Sequence, residues 1–404
     1  MPVELNAPES LQSVPGFRLA SCNAQIYKND KDDLVLIELA EKGTVALVQT
    51  KNAFAAAPVI VCRDHVSKAN PRFCLINAGN ANAGTGIRGL DDALESCKKV
   101  ALLTQCKPEQ VLPFSTGVIG EYLPVENIVG ALEGLVSSLD EKNWLNCARA
   151  IMTTDTVAKG VSRSINIAGK EIVITGMAKG SGMIRPDMAT MLAYVATDAA
   201  IDSELLQQLL GETVEKSFNR ICVDGDTSTN DACVLMASGE SGVQLKDGSS
   251  ELDIFRAALD EVFIALAQAI VRDGEGVTKF ITVDVNNGPS EQLCREVAYD
   301  IATSPLVKTA MFASDPNWGR IIMAIGGSRE KELDANNVSV FINEVCVLSR
   351  GGLCESYSEE AGQQEMNKQE IHLSIDLGSG NHDFRVWTCD LSHDYVTINA
   401  EYRS

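Results

Sequence analysis

Residues 179–192 read Lys179-Gly-Ser-Gly-Met-Ile-Arg-Pro-Asp-Met-Ala-Thr190-Met-Leu, a glycine-rich loop that leads through a proline into a threonine and an apolar segment. A threonine hydroxyl is a weak nucleophile unless a base lies beside it. One such base is the threonine's own α-amino group, which is free only after the preceding peptide bond is cut. This amine has a reference pKa of about 7.7–8.0, so near neutral pH it can take the hydroxyl proton and return it to a leaving group. We therefore predict self-cleavage between Ala189 and Thr190.

The chain on both sides of this loop alternates between strand-like and helix-like patterns. Runs rich in β-branched and aromatic residues predict strands, and apolar residues at helical spacing predict helices. The predicted strands include Leu34–Ala40, Val45–Gln49, Val59–Cys62, Phe73–Ile76 and Met191–Thr197, and Ser162–Ile167 with Glu171–Thr175 forms a predicted hairpin. The predicted helices lie near Leu90–Leu103, Val125–Leu139, Ser203–Arg220 and Leu252–Arg272. These elements predict an α/β (α+β) fold, a layered sandwich of β-sheets with flanking helices.

The length of the chain predicts more than one core, because 404 residues exceed the usual size of a single one. The pattern changes after the helix stop at Gly276. It continues with a strand at Ile281–Val285, a turn at Asn286–Gly288, a helix near Ser290–Ser304 and a strand-rich tail through Asn399. We expect a catalytic α/β domain over residues 1–280, and a smaller C-terminal α/β domain over residues 281–404 that completes the substrate site.

The composition argues against two classes of partner. The formal net charge is −21, from 55 acidic against 34 basic residues, and no dense basic patch offsets it. This charge repels nucleic acid and anionic membranes, so we expect neither as a partner.

The 12 cysteines are scattered singly, the N-terminus has no targeting pattern, and no apolar stretch reaches about 18 residues. We expect a cytoplasmic protein with reduced thiols.

The histidine content argues against a histidine as the base. Only 4 histidines are present, His65, His372, His382 and His393, and none is close to Thr190 in sequence. No nucleophile-elbow motif or ligand cluster accompanies them, so a Ser-His-Asp arrangement has no support. A base of another kind is therefore favoured.

Two short polar segments can belong to a site or to ordinary turns. Phe114–Gly120 ends a strand-like run, and its Thr116-Gly117 pair can direct a hydroxyl and a backbone N–H at a developing oxyanion. Met152–Thr156 either caps a helix or contacts a ligand. The glycine-rich loops match neither of the usual phosphate-binding patterns. Each segment alone is weak evidence for a functional site, and the occurrence of both in one chain strengthens that evidence.

The acidic segment Asp224–Asp231 begins like a calcium-binding loop. Its sixth position is Thr229 rather than glycine, and its twelfth is Leu235 rather than glutamate, which excludes an EF-hand. Two interpretations stay open, a hydrogen-bonded turn and a segment packed beside an active site.

These segments together resemble a known family, the ornithine acetyltransferases, also called glutamate N-acetyltransferases, of arginine biosynthesis. The resemblance runs nearly end to end. It is carried by Asn80-Ala-Asn82 with Thr85-Gly86, Ser115–Gly120, Thr153–Thr156, Lys179–Ile184 with Pro186 and Met188–Leu192, Asp224–Asp231, Leu306–Ala310, Asp315–Arg320 and Tyr395–Tyr402.

The resemblance implies a self-processed enzyme of the N-terminal-nucleophile type. The precursor would be cut before Thr190 into an α chain, residues 1–189, and a β chain, residues 190–404, that stay together as an α2β2 heterotetramer. The enzyme would transfer an acetyl group from N-acetylornithine to glutamate through an acetyl-threonine intermediate, giving ornithine and N-acetylglutamate. No metal and no organic cofactor is implied, and acetyl-CoA as a second acetyl donor stays open.

The family's functional residues carry over to named positions. Thr190 would be the nucleophile, and Thr116 and Gly117 the oxyanion hole. Substrate would be contacted by Thr153, Lys179, Glu275, Asn399 and the terminal Ser404, where the family usually has threonine. A lysine can bind a carboxylate or keep a neighbouring amine deprotonated, and a glutamate can pair with the ammonium group of ornithine.

Two alternatives from other classes stay open. The first is a self-processing hydrolase, an aminopeptidase or amidase, in which water replaces glutamate as the acceptor. The second is a binding protein without catalysis, in which Thr190 is an ordinary strand residue and the glycine-rich loops hold a small anion. Products formed with and without glutamate distinguish the first alternative, and the intact mass distinguishes the second.

Overall fold

The structure is a computed structural model that describes residues 2–27, 30–185, 191–327 and 333–401. Its strands are β1 (Phe17–Cys22), β2 (Leu34–Leu39), β3 (Thr44–Gln49), β4 (Phe73–Asn80), β5 (Val111–Val118), β6 (Lys159–Ile167), β7 (Lys170–Lys179), β8 (Leu192–Thr197), β9 (Ala232–Ala237), β10 (Phe280–Gly288), β11 (Ser339–Ile342), β12 (Val345–Ser349), β13 (Gly352–Leu353), β14 (Glu370–Asp376) and β15 (His382–Cys389). Its helices are α1 (Ala57–Lys68), α2 (Gly86–Thr104), α3 (Val125–Ser137), α4 (Trp144–Ala150), α5 (Ser203–Lys216), α6 (Ser250–Arg272), α7 (Glu291–Ala302), α8 (Pro305–Phe312), α9 (Trp318–Gly326), α10 (Glu359–Met366) and α11 (His393–Ala400).

The first two sheets pack face to face. One has the strand order β1-β2-β4-β5 and the other the order β3-β9-β8-β7-β6. Phe17 and Ile37 of the first sheet share a buried core with Tyr194 and Val234 of the second, and Trp144 of α4 lies in the same core. The outer face of the first sheet packs on α2 and α3, and that of the second on α5 and α6. The four layers α-β-β-α confirm the predicted layered α/β sandwich.

Strands inside the sandwich are buried on both faces. In β2, Val35 and Ile37 point into the core between the sheets, whereas Leu34 and Leu36 point toward α2 and α3. Successive side chains of a strand alternate between its two faces, so a strand buried on both sides is apolar at every position. This is why several short apolar runs were recognisable as strands. The predicted hairpin is also confirmed, because β6 and β7 pair as antiparallel neighbours.

The third sheet has the strand order β13-β12-β11-β14-β10-β15 and a core of its own with α7, α8 and α9. The first strand of this sheet in chain order, β10, begins at Phe280. The division of the chain into domains at about residue 280 stays a prediction.

Three predictions about single elements are wrong. Val59–Cys62, predicted as a strand, lies inside α1, where Pro58 occupies one of the first two helical positions. Proline is favourable there, and packing of the buried face of α1 outweighs the strand propensity of its valines. Asn286–Gly288, predicted as a turn, belongs to the end of β10, where the pairing register shifts. The tail is strand-rich only in part, because α8 to α11 interrupt it and Asn399 lies in α11.

Within the part of the chain that the structure describes, no helix combines the length and the apolar character of a membrane span.

Candidate active site

A cavity of about 170 Å³ lies where β5 and β7 end and where β8 and β9 begin. Antiparallel pairing of β7 with β8, and parallel pairing of β8 with β9, brings the end of β7 and the starts of β8 and β9 to one end of the second sheet, and β5 belongs to the first sheet, which packs against it. The cavity is lined by Ala81, Thr116, Gly117, Ile119, Thr153, Thr154, Lys179, Gly182, Met183, Ser228, Asn230, Glu275 and Asn399. None of these described lining residues is a histidine.

Six predicted site residues meet at this cavity, although they are far apart in sequence. They are Thr116, Gly117, Thr153, Lys179, Glu275 and Asn399. The other three, Ala189, Thr190 and Ser404, lie outside the described residues. The roles assigned to all nine stay predictions.

Thr116 and Lys179 form the buried floor of the cavity. Lys179 is the last residue of β7, and its Nζ donates a hydrogen bond of 3.1 Å to Thr116 Oγ1. Both side chains are buried. Since the Thr116 oxygen accepts from the lysine, its own hydroxyl proton is left to be donated to another group.

The Lys179 ammonium group is buried away from solvent. Burial lowers the pKa of the Lys179 ammonium, while the carboxylate of Asp155 acts to raise it. Burial would raise the pKa of Asp155, but the ammonium groups of Lys159 and Lys179 outweigh it and keep that pKa well below its ordinary value. Asp155 is therefore an anion beside the cavity, and burial makes the Lys179 ammonium group easier to deprotonate.

A buried ion network anchors the loop that carries Thr153. Lys159 Nζ lies 2.6 Å from Asp155 Oδ1 and 2.6 Å from Asp273 Oδ2. Asp155 also accepts hydrogen bonds from the backbone N–H groups of Thr153, at 3.0 Å, and Gly180, at 2.7 Å. Removing one partner of a buried ion pair costs about 3–5 kcal/mol, so the network strongly constrains this loop.

Gly117 has a backbone conformation that few other residues can adopt. Its φ is +131°, and a Cβ at this position would lie 2.3 Å from the carbonyl carbon of Gly79. This contact arises because β5 runs parallel to β4, with a register irregularity at Gly79 and Asn80. Only glycine fits here, and Gly117 lines the cavity.

Asn230 ties this wall to the second sheet. Its Nδ2 donates hydrogen bonds to the carbonyl oxygens of Ala81, at 2.6 Å, and Ser115, at 2.9 Å. The Ala81 N–H in turn donates to Val118 O at 2.9 Å. The backbone on both sides of the Thr116-Gly117 pair is thus held by a side chain from the segment that precedes β9.

Glu275 and Asn399 form the outer side of the cavity. Asn399 Nδ2 donates to Glu275 Oε2 at 2.8 Å, and the Glu275 N–H donates to Ser181 O at 2.8 Å. A Cβ on Gly182 would lie 2.4 Å from Glu275 Oε2, so the carboxylate packs directly on the glycine-rich loop. Glu275 is partly exposed and Asn399 is exposed, and Glu275 adds a carboxylate to the lining of the cavity.

Several residues of the site were missed by sequence reasoning. Ser228 and Asn230 line the cavity, and both belong to the acidic segment Asp224–Asp231, whose hydrogen bonds within the segment fit the turn interpretation as well. The link between Lys159 and Asp273 spans more than a hundred positions, and no local pattern indicates it. Among the described residues, no group of three or more His, Cys, Asp or Glu side chains could hold a metal ion.

Comparison with known proteins gives consistent matches. A model of the ArgJ family matches residues 18–404. The chain is 52% identical over 400 residues to the arginine biosynthesis bifunctional protein ArgJ of Psychrobacter arcticus, covering 98% of each chain. It is 53% identical over 392 residues to the protein of the same name from Methylococcus capsulatus, covering 97% of this chain and 96% of that one. The crystal structure of ArgJ from Bacillus halodurans is 41% identical with a TM-score of 0.50, and covers 52% of this chain and 98% of that one.

Proposed function

Because this chain belongs to the ArgJ family, we propose that it transfers the acetyl group of N-acetylornithine to glutamate in arginine biosynthesis. Ornithine and N-acetylglutamate are the products. The acetyl group is carried by Thr190 between the two half-reactions, and neither a metal nor an organic cofactor takes part. The relatives are called bifunctional. The proposal allows a second activity, in which acetyl-CoA is the acetyl donor. Location in the cytoplasm and the α2β2 assembly stay predictions.

One observation carries this proposal. A single cavity near the start of β8 is lined by Thr116, Gly117, the buried Lys179 and the carboxylate of Glu275. Met191 directly precedes β8 and directly follows Thr190 in the chain. In sequence, the predicted nucleophile is thus two positions before the start of β8, the end of the strand that lies near this cavity.

The proposed chemistry follows from these groups. The free α-amine of Thr190 takes the hydroxyl proton while the oxygen attacks the acetyl carbonyl. The Thr116 hydroxyl and the Gly117 N–H donate to the oxyanion, an interaction worth about 3–4 kcal/mol per donor in other enzymes. The tetrahedral intermediate collapses, the C–N bond breaks, and the protonated α-amine of Thr190 returns its proton to the departing ornithine. Glutamate then attacks the acetyl ester by the reverse steps, and the threonine is regenerated.

Self-cleavage has indirect support from a relative. The solved ArgJ chain from Bacillus halodurans is matched over 98% of its own length, yet it covers only 52% of this chain. A chain of about half the length is what scission near the middle produces, and residues 190–404 make up slightly more than half of this sequence.

The proposed reaction is tested by incubating purified protein with N-acetylornithine, with and without glutamate. We expect ornithine and N-acetylglutamate in equal amounts when glutamate is present, with initial rates that follow ping-pong kinetics. Without glutamate, only a burst of ornithine no larger than the enzyme concentration should appear. Continuous release of acetate independent of glutamate would instead identify a hydrolase, and absence of any turnover would remove the proposal.

Glu275→Gln should raise the KM for N-acetylornithine by about tenfold or more, because a hydrogen bond to a charged group contributes about 1.5–3 kcal/mol. Glutamine has nearly the size of glutamate and keeps an oxygen for Asn399, so the shape of the entrance is preserved. Steady-state kinetics with each substrate varied in turn measures the effect. Glutamate has no side-chain ammonium and is the internal control, so an equal change for both substrates would contradict the assignment.

A further inference from the structure

The segment Asp224–Asp231 contacts the chain on both sides of the predicted cleavage position. We call it the 224–231 loop. Its first residue binds backbone N–H groups of Met183 and Ile184, before that position, and its last residue binds the N–H of Met191, after it. Neither contact is needed for acetyl transfer as proposed above.

The upstream contact fixes a strained turn. Met183 has a φ of +59°, a left-handed conformation that is unfavourable for a residue other than glycine. Asp224 accepts from Met183 N at 2.5 Å and from Ile184 N at 2.8 Å. Ile184 O also accepts from Val223 N at 2.9 Å. These bonds offset the strain and fix where the chain leaves the glycine-rich loop.

The downstream contact is buried. Asp231 Oδ1 accepts from Met191 N at 2.8 Å, and the next backbone N–H, that of Ala232, donates to Met191 O at 3.1 Å. Asp231 is fully buried, and its other oxygen has no hydrogen-bond partner among the described residues. Burial raises the pKa of Asp231 well above its ordinary value.

We propose that the 224–231 loop holds both flanks of the scissile segment, and that Asp231 is the positioning residue for self-cleavage. The inference rests on the proposed function, because it assumes the cut before Thr190. Met191 directly follows Thr190 in the chain, so the Asp231 contact acts on the first residue after the predicted nucleophile. Small displacements of a reacting group slow a reaction steeply, which gives this contact its importance.

The test compares Asp231→Ala with Asp231→Asn in the full chain. We expect alanine to slow cleavage by about 100-fold, the cost of misplacing a reacting group by roughly 1 Å. Asparagine keeps a side-chain oxygen that can accept from Met191 N, so it should restore most of the lost rate. The half-time for conversion of one chain into two is followed on denaturing gels after cell-free synthesis, together with the melting temperature of each protein.

Asp198 offers a matched control at the other end of β8. It is buried, its pKa is raised by burial, and it accepts from Val173 N at 2.9 Å, but it does not line the cavity. Asp198→Ala should lower the melting temperature without changing the cleavage half-time by more than a small factor. This control separates a loss of positioning from a general loss of stability.

The outcomes distinguish this inference from the proposed function. If the wild-type chain is never cut, the proposed function itself fails. If the wild type is cut and folded Asp231→Ala is cut equally fast, only the inference fails. Should Asp231→Ala not fold, Asp224→Ala makes the same test on the upstream flank, where the side chain is partly exposed. Normal cleavage in that variant would also overturn the role of the loop.

Discussion

Thr190→Ala will leave the protein as a single uncut polypeptide without transferase activity. The substitution removes the hydroxyl that would attack the Ala189 carbonyl, so no ester can form and no new N-terminus can be released. It removes the acetyl acceptor of the proposed reaction at the same time. Denaturing gels and intact mass give the number of chains. N-terminal sequencing of the wild type should find a second terminus that begins Thr-Met-Leu-Ala.

Thr190→Ser is the matched control for this experiment. Serine retains a hydroxyl and, once exposed, an α-amine, so cleavage should persist. Two chains from the alanine variant would refute the processing model. Loss of both cleavage and activity in the serine variant would show that the threonine methyl group positions the nucleophile.

Gly117→Ala should lower kcat by about 100-fold or more, the effect of losing one oxyanion donor in other enzymes. The new methyl group would lie 2.3 Å from the carbonyl carbon of Gly79 and 2.6 Å from Asn80 N, both backbone atoms that cannot move aside as a side chain can. At a φ of +131° the backbone must also change conformation. Both effects displace the N–H that would donate to the oxyanion. Acetyl transfer by the cut protein measures kcat.

Gly134→Ala is the control for this second prediction. Gly134 lies in α3, and a Cβ there meets no atom within 4 Å. Replacing a helical glycine with alanine is favourable by up to about 1 kcal/mol, so the melting temperature should rise while kcat stays unchanged. An unchanged kcat in Gly117→Ala would mean that the Gly117 N–H takes no part in catalysis.

The fold was predictable from sequence where burial alone determines the pattern. Runs such as Leu34–Ala40 are apolar because both faces of the strand are covered, and the hairpin of β6 and β7 is signalled by its turn. Val59–Cys62 was mistaken for a strand because a short run of valine and isoleucine is equally compatible with a buried helix. The helical tail near Asn399 escaped prediction because α11 has no buried residues and therefore no apolar period.

Single residues of the candidate site were predictable from the sequence, but their meeting at one cavity was not. Thr116, Lys179 and Glu275 were named through motifs and a family resemblance, not through their spacing. Their meeting at one cavity depends on pairing between distant strands, which no local pattern contains. The buried contacts of Lys159 and Asp231 had no sequence signal of their own, because a charged residue in a strand or turn is usually exposed.

The order of strands in the second sheet has a consequence for the two products of the proposed cut. β3, β6 and β7 precede residue 190, while β8 and β9 follow it, yet β9 and β8 lie between β3 and β7 in the sheet. Scission thus produces two interleaved polypeptides, each of which borders the other along two separate hydrogen-bonded ladders. Neither chain can form the second sheet by itself, and neither can dissociate without breaking the hydrogen bonds of both ladders. An uncut precursor supplies the strands of both halves to this sheet while it folds. After the cut, the hydrogen bonds between the strands of the two chains hold them together.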